Sequence, residues 1–305
     1  MGYALVKKDS AADNIKRIVN EELTEAINSL ETIGQNKEET IHAIRKRIKK
    51  IRAVFRLIKS GMSVEAFRQE NIRYRNIGHM LAHLRDATVM IKTLDNLKRI
   101  YAKAISRRAF AQARKGLVEK QCQISKDFFE DNNAIGRVLS AFKEAHQHLP
   151  DIHFDKDSFS VFADNLQTIY KRGIKALAVA SDQPSMDTLH ELRKEVKNLW
   201  YHTRIFVPLW PGFFQAYAQQ LEVLSELLGD DHDLGVLAQE IESGKLPFGR
   251  KSTTSRFLTL IEERRKYLQQ QIYPLANRVF AEKPRDFSDR YELYWKVWQG
   301  ETRPA

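Results

Sequence analysis

One cysteine, Cys122, is all the thiol this chain has, so no intrachain disulfide can staple it. Glycine is sparse, at 13 of 305 residues, and β-branched residues never alternate for long with polar ones, so strand signals are weak. The longest apolar run, around Phe206 to Phe214, is interrupted by Pro208, Pro211 and Gly212. It falls well short of the roughly 20 residues that cross a bilayer. No charged head, apolar stretch and small-residue cleavage site occur in sequence near Met1, so a secretory signal is not expected. These absences point to a cytoplasmic, reduced, membrane-free protein without sheet structure.

What is present is positive charge, unevenly placed. The net charge is +11. Residues 1–150 hold 29 Lys and Arg against 17 Asp and Glu, whereas residues 151–305 hold 21 against 22. The densest stretch, residues 40–120, has 21 bases and 5 acids. Such a field selects polyanionic partners: nucleic acid, an anionic surface or a phosphate polymer.

Helical periodicity is strong. Ile15, Val19, Leu23, Ile27 and Leu30 recur at spacings of three and four, and so do Phe162, Leu166, Tyr170, Ile174 and Leu177. The two sets superpose at an offset of 147 residues. The match continues, with "IHAIRKRIKKIRAVFRLI" (41–58) against "LHELRKEVKNLWYHTRIF" (189–206) and "LRDATVM" (84–90) against "DHDLGVL" (231–237). Three blocks in one order predict an internal duplication. Residues 1–150 form a first repeat of four helices and residues 151–305 a second, with "QHLPDIHFDKDS" as the linker. Short connections predict antiparallel neighbours. The expected fold is all-α: two pseudosymmetric antiparallel four-helix bundles.

Helices are expected over 11–33, 38–59, 63–97 and 100–145, the last two with breaks. In the second repeat they are expected over 157–180, 186–207, 212–243 with a break near Gly229, and 253–281, closed by an amphipathic piece at 289–298.

On a helical projection of the second helix, His42, Arg45, Lys49, Arg52 and Arg56 fall within an arc of about 80°. Ile44, Ile48, Ile51 and Phe55 centre about 100° away. One edge of the helix enters a core and the adjacent edge is pure cation. Lys46, Arg47 and Lys50 point elsewhere and read as solvated charges. The second copy keeps the stripe in His190, Arg193, Lys197 and Arg204 and replaces its neighbours, Glu195 standing for Arg47 and Asn198 for Lys50. Trp200 stands where Arg52 does. General solubility does not account for that selectivity, because like charges at i,i+4 destabilise a helix unless an anion lies along them. Two such stripes facing each other enclose a basic channel suited to a linear phosphate chain, with Arg forks and Lys point charges as donors.

These residues resemble the CHAD (histidine α-helical) domain family, whose His-x-x-Arg-x-x-x-(Lys/Arg) motif occurs twice. Here it reads "HAIRKRIK" (42–49) and "HELRKEVK" (190–197), accompanied by Leu84-Arg85-Asp86 and its echo Asp231-His232-Asp233. The resemblance implies two bundles related by a pseudo-twofold axis around a basic central cavity. It also implies binding of inorganic polyphosphate, in some members on polyphosphate granules, with Arg85 as a further binding residue. Some members carry a CYTH-type triphosphatase; no Glu-x-Glu-x-Lys start occurs here, so that activity is not expected.

Other readings compete. His79 with His83, or Asp230 to Asp233, have metal-ligand chemistry, but nothing shows three or four ligands converging, so no metal is expected. Asp86 and Asp233 are better suited to helix capping or to holding an arginine. A phosphohydrolase needs further spaced His and Asp ligands that are missing, and no phosphate loop or nucleophile elbow occurs, so neither catalysis nor a cofactor is expected. Trp200, Trp210, Trp295 and Trp298 read as packing aromatics. RNA or DNA is the second-choice partner, since nucleic-acid readers mix stacking aromatics into the charge. A polyphosphate-processing hydrolase ranks third.

Overall fold

The computed structural model describes residues 2–7, 9–34, 36–104, 106–131, 133–154, 158–244 and 251–301; the side chains of His83, Arg85 and Asp86 lie outside that set. Among the described residues there are eleven α-helices and no strand. The first half comprises α1 (Ala11–Glu31), α2 (Lys37–Leu57), α3 (Val64–Met80), α4 (Ala82–Ile100), α5 (Arg107–Glu130) and α6 (Ala134–His148). The second comprises α7 (Ser160–Asp182), α8 (Met186–Ile205), α9 (Pro211–Glu242), α10 (Lys251–Val279) and α11 (Pro284–Gly300).

Local chemistry sets these ends. The Ser10 hydroxyl accepts from the Asp13 amide at the start of α1, and Ser185 with Thr188 forms a capping box at the start of α8. Pro211 and Pro284 open α9 and α11, where a missing amide hydrogen costs nothing. The 63–97 segment does break, at Leu81, and the 100–145 segment breaks between Glu130 and Ala134. The break expected near Gly229 does not occur. α9 runs unbroken through it, and the glycine there serves close packing instead. The 289–298 piece is the centre of a longer helix, α11.

In the first half the helices pack in succession from α1 to α6, in the second from α7 to α10, and the last helix of each folds back over the first: α6 on α1, and α11 on α7. The two halves meet through α2 against α8, α2 against α7 and α4 against α9. One continuous apolar core joins them, from Ile15 and Leu23 through Ile51, Leu199 and Leu224 to Tyr291. Each fully buried Leu, Ile or Phe contributes about 1.5–3 kcal/mol, far more than any exposed ion pair.

Polar pins fix the central crossing. His202 is wholly buried, and its Nε2–H donates to the Ala53 carbonyl at 2.8 Å, tying α8 to α2. Asn165 Nδ2 donates to Ser60 Oγ at 2.8 Å, and Lys120 Nζ to Glu240 Oε2 at 2.9 Å. Arg47 and Lys50 are not free solvated charges. Both bind Glu22 of α1, at 3.0 and 2.6 Å, and the Glu22 side chain is 7% exposed. At the 147-residue offset Glu22 becomes Ile169, so the second repeat replaces this ion pair with apolar packing and no longer needs the two bases.

Burial holds the His202 imidazole down at about 4. A base whose folded pKa lies below its unfolded value of about 6.5 costs stability as pH falls between the two. Acid should therefore weaken the fold by about 3 kcal/mol from pH 6.5 to pH 4 through this residue. Urea midpoints measured across that range should fall in the wild type and flatten in His202→Gln, which keeps a donor for the Ala53 carbonyl.

A candidate anion-binding cleft

A cleft of about 900 Å³ opens between α2, α8 and α9, with Val89 of α4 at its edge. His42, Arg45 and Lys49 of α2 and Arg193, Lys197 and Arg204 of α8 line it, so six of the ten sequence-predicted residues converge; Lys46 and Lys50, expected to point elsewhere, line it as well. α2 and α8 bury Ile44, Ile48 and Ile51 on one side and Leu192, Val196 and Leu199 on the other, which turns the adjacent cationic edges into the space between them.

Three of the other four sequence-predicted residues, His190, Arg52 and Arg56, do not line it. The His190 ring packs against His232, tilted by 35° at 4.7 Å between centroids, and it is His232 that lines the cleft. His190 Nδ1 is buried without a hydrogen-bond partner, and burial, then the His232 and Arg193 charges, lower its pKa. Arg52 and Arg56 do not line the cleft. They reach Asn71 of α3 at 3.4 Å and Asn198 of α8 at 3.2 Å. The Arg85 side chain lies outside the described residues.

Each motif arginine rests on a glycine of the neighbouring third helix. Arg45 Nη1 donates to the Gly78 carbonyl at 3.4 Å. A Cβ at Gly229 would lie 3.3 Å from Arg193 Nη2 and 3.4 Å from its Nε. Removing that Cβ lets the guanidinium lie flat against α9.

Trp200 is part of the site and not a mere packing aromatic. Lys197 Nζ sits 4.1 Å and Arg204 5.0 Å from its ring centroid. An indole face attracts both cations without adding a further like charge, which is what an arginine at this position would do. Burial, then Arg193 and Lys49, depress the Lys197 ammonium to about 8.

Sequence reasoning missed the carboxylates of the opposite wall, Glu222 and Glu226, together with Asp233. Extending the 147-residue register into α9 does not signal them, because Glu222 and Glu226 then align with the basic Arg75 and His79. Asp233 caps no helix; it sits inside α9 and accepts from His232 Nδ1 at 3.2 Å. The acid that holds an arginine is Asp231, fully buried and bound by Arg265 and Gln269. Among the described residues no group of three or more His, Cys, Asp or Glu is placed to hold a metal ion. Nor is any helix among them long and apolar enough to cross a membrane.

The CHAD domain family model matches residues 19–242. Among solved structures, PptA from Streptomyces chartreusis superposes with a TM-score of 0.65 at 13% identity, over 88% of this chain and all of that one. The CHAD domain from the plant Ricinus communis gives 0.55 at 18% identity, over 96% of this chain and 94% of that one. No curated protein sequence matches.

Two outcomes test the geometry. An anion beside Lys197 favours its charged form, so anion affinity should fall as pH rises through about 8. Isothermal titration of Lys197→Arg, whose guanidinium stays charged, should show that alkaline limb flattened. Gly229→Ala should displace Arg193 and weaken binding on the order of tenfold while the helix itself gains propensity. A melting temperature at or above that of the wild type would separate this loss from unfolding.

Proposed function

The chain belongs to the CHAD domain family, and from that premise we propose that it binds inorganic polyphosphate in the cleft between α2, α8 and α9 without turning it over. The observation that carries this reading is the convergence of five Lys or Arg side chains and His42, from the two copies of one cationic stripe, on a single cavity. Residues 1–150 and 151–305 act as two repeats that each contribute half of the binding edge.

The shape of the charge supports a thin linear anion. Cations stand on α2 and α8, while α9 presents Glu222 and Glu226 across from them. A single phosphate chain can lie against one wall and leave the other to counterions. A nucleic-acid duplex carries phosphate on both flanks and meets the carboxylates. The one tryptophan in the cleft is already engaged by Lys197 and Arg204, which disfavours its use as a base-stacking platform. Binding, and not hydrolysis, is the function supported, and the protein is expected to gather where polyphosphate does, including granules.

Charge reversal in Arg45→Glu/Lys49→Glu should lower long-chain polyphosphate affinity by on the order of a hundredfold. Unchanged affinity would show that the α2 edge is not the binding surface. Wild-type affinity should fall steeply and linearly with log salt. Long-chain polyphosphate should outcompete single-stranded RNA at equal phosphate concentration; the reverse order would make this an RNA-binding protein. Incubation with polyphosphate and Mg²⁺ should release no orthophosphate, and sustained release would make it a hydrolase.

A further inference from the structure

Arg52 and Arg56 belong to the cationic edge of α2 yet face away from the cleft, into a second cluster. Arg52 Nη2 donates to Asn71 Oδ1 at 3.4 Å, and its Nε is buried with no hydrogen-bond partner. Arg75 stands one turn beyond Asn71 on the same face of α3. Arg56 Nη1 donates to Asn198 Oδ1 at 3.2 Å, Asn198 reaches Glu195 at 3.4 Å, and Glu195 shares a groove of about 340 Å³ with Arg172 of α7. Four arginines from α2, α3 and α7 thus form a linked series, Arg75 beside Arg52, Arg52 beside Arg56 and Arg172 beside Arg56, with Glu195 interacting with both Arg56 and Arg172 and with Asp187 and Glu191 further along its groove. Among the described residues no carboxylate lies within ion-pair distance of any of the four.

Such a cluster is costly when empty. Burial, then Arg52, and also Arg172, pull the Arg56 guanidinium down to about 10, while Glu195 pushes the other way; burial and Arg75 lower Arg52. An arginine edge built only for packing would be paired or replaced by apolar groups.

The internal repeat says what kind of place this is. Arg56 corresponds to Arg204, which lines the cleft, and Arg75 corresponds to Glu222 on the cleft's acidic wall. The cluster is therefore the pseudosymmetric counterpart of one half of the cleft, with the acidic wall exchanged for a basic one. Along α2 the two places adjoin: Lys49 lines the cleft, and Arg52 follows after a rise of roughly 4.5 Å.

We propose that Arg52, Arg56, Arg75 and Arg172 form a second seat for the phosphate chain, outside the cleft, so that a long chain is gripped on both sides of the α2–α8 crossing. This rests on the polyphosphate reading and adds a length preference to it: a chain short enough to fit in the cleft does not reach the second seat.

The test compares tripolyphosphate with long-chain polyphosphate on the full chain. Arg75→Gln/Arg172→Gln alters two exposed side chains, and circular dichroism melting verifies the fold. In this variant the preference for the long chain should drop, by up to about fivefold per arginine. The slope of log affinity against log salt for the long chain should flatten by roughly 0.7 per arginine. A preference and a slope equal to those of the wild type overturn the second seat and leave the cleft reading standing. Lys49→Gln/Lys197→Gln should weaken both ligands. If it weakens neither while the arginine variant weakens the long chain, the cleft reading falls and the seat survives. Failure of the wild type to bind either ligand overturns both.

Discussion

Two helices carrying the same sign of charge lie against one another at the centre of this protein, and the rest of the fold holds them there. The contest is settled by magnitudes. Ile44, Ile48 and Ile51 on α2 and Leu192, Val196 and Leu199 on α8 are all buried, at about 1.5–3 kcal/mol apiece. Like-charge repulsion between partly solvated side chains costs less than about 1 kcal/mol per pair. Packing wins, and the cations stay because nothing in packing requires their removal. The His202–Ala53 hydrogen bond then fixes the crossing, since a buried carbonyl left without its donor costs more than the bond is worth when made.

What surrounds the crossing decides where positive charge remains. Glu22 binds Arg47 and Lys50, so those two bases serve the α1–α2 interface, Lys50 from the margin of the cleft. On α8 the same interface is apolar through Ile169, and Trp200 takes the place of one arginine while steadying Lys197 and Arg204. The halves thus reach cationic edges by different means: the first is strongly basic and the second nearly neutral in composition, yet Arg45, Lys46, Lys49 and Lys50 of the one and Arg193, Lys197 and Arg204 of the other all line the cleft.

Much of this was legible in the sequence, for a physical reason: a helix that buries one edge must repeat its apolar residues at 3.6, and a duplicated helix must do so twice. The edges of α2 and α8 follow directly. Three things did not follow. A straight stripe says nothing of what crosses it, and α8 crosses α2 so that His42, Arg45 and Lys49 enter the cleft while Arg52 and Arg56 do not. Gly229 reads as a helix breaker by propensity, yet within a packed helix the missing Cβ is space for Arg193. A break within 63–97 is expected, but its position at Leu81 carries neither glycine nor proline and is not marked in the sequence. The carboxylates of α9 were hidden for a further reason: Glu222 and Glu226 lie on a helix whose first-repeat counterpart is basic there, so the repeat argues against them.

A site of this kind is preorganised by repulsion. Side chains that bind one another must be pulled apart before they bind a ligand, and that cost subtracts from affinity. Arg193 instead lies against a glycine, Lys197 and Arg204 against an indole face, and Lys197 is held partly discharged by its surroundings. None of these contacts is a carboxylate that an incoming phosphate has to displace. On the proposed reading a phosphate meets Arg193, Lys197 and Arg204 already held in place, and its charge favours the ammonium form of Lys197 that burial disfavours. Binding and folding are coupled on that reading: a ligand that binds the folded chain and not the unfolded one stabilises it by an amount that grows with ligand concentration over its dissociation constant.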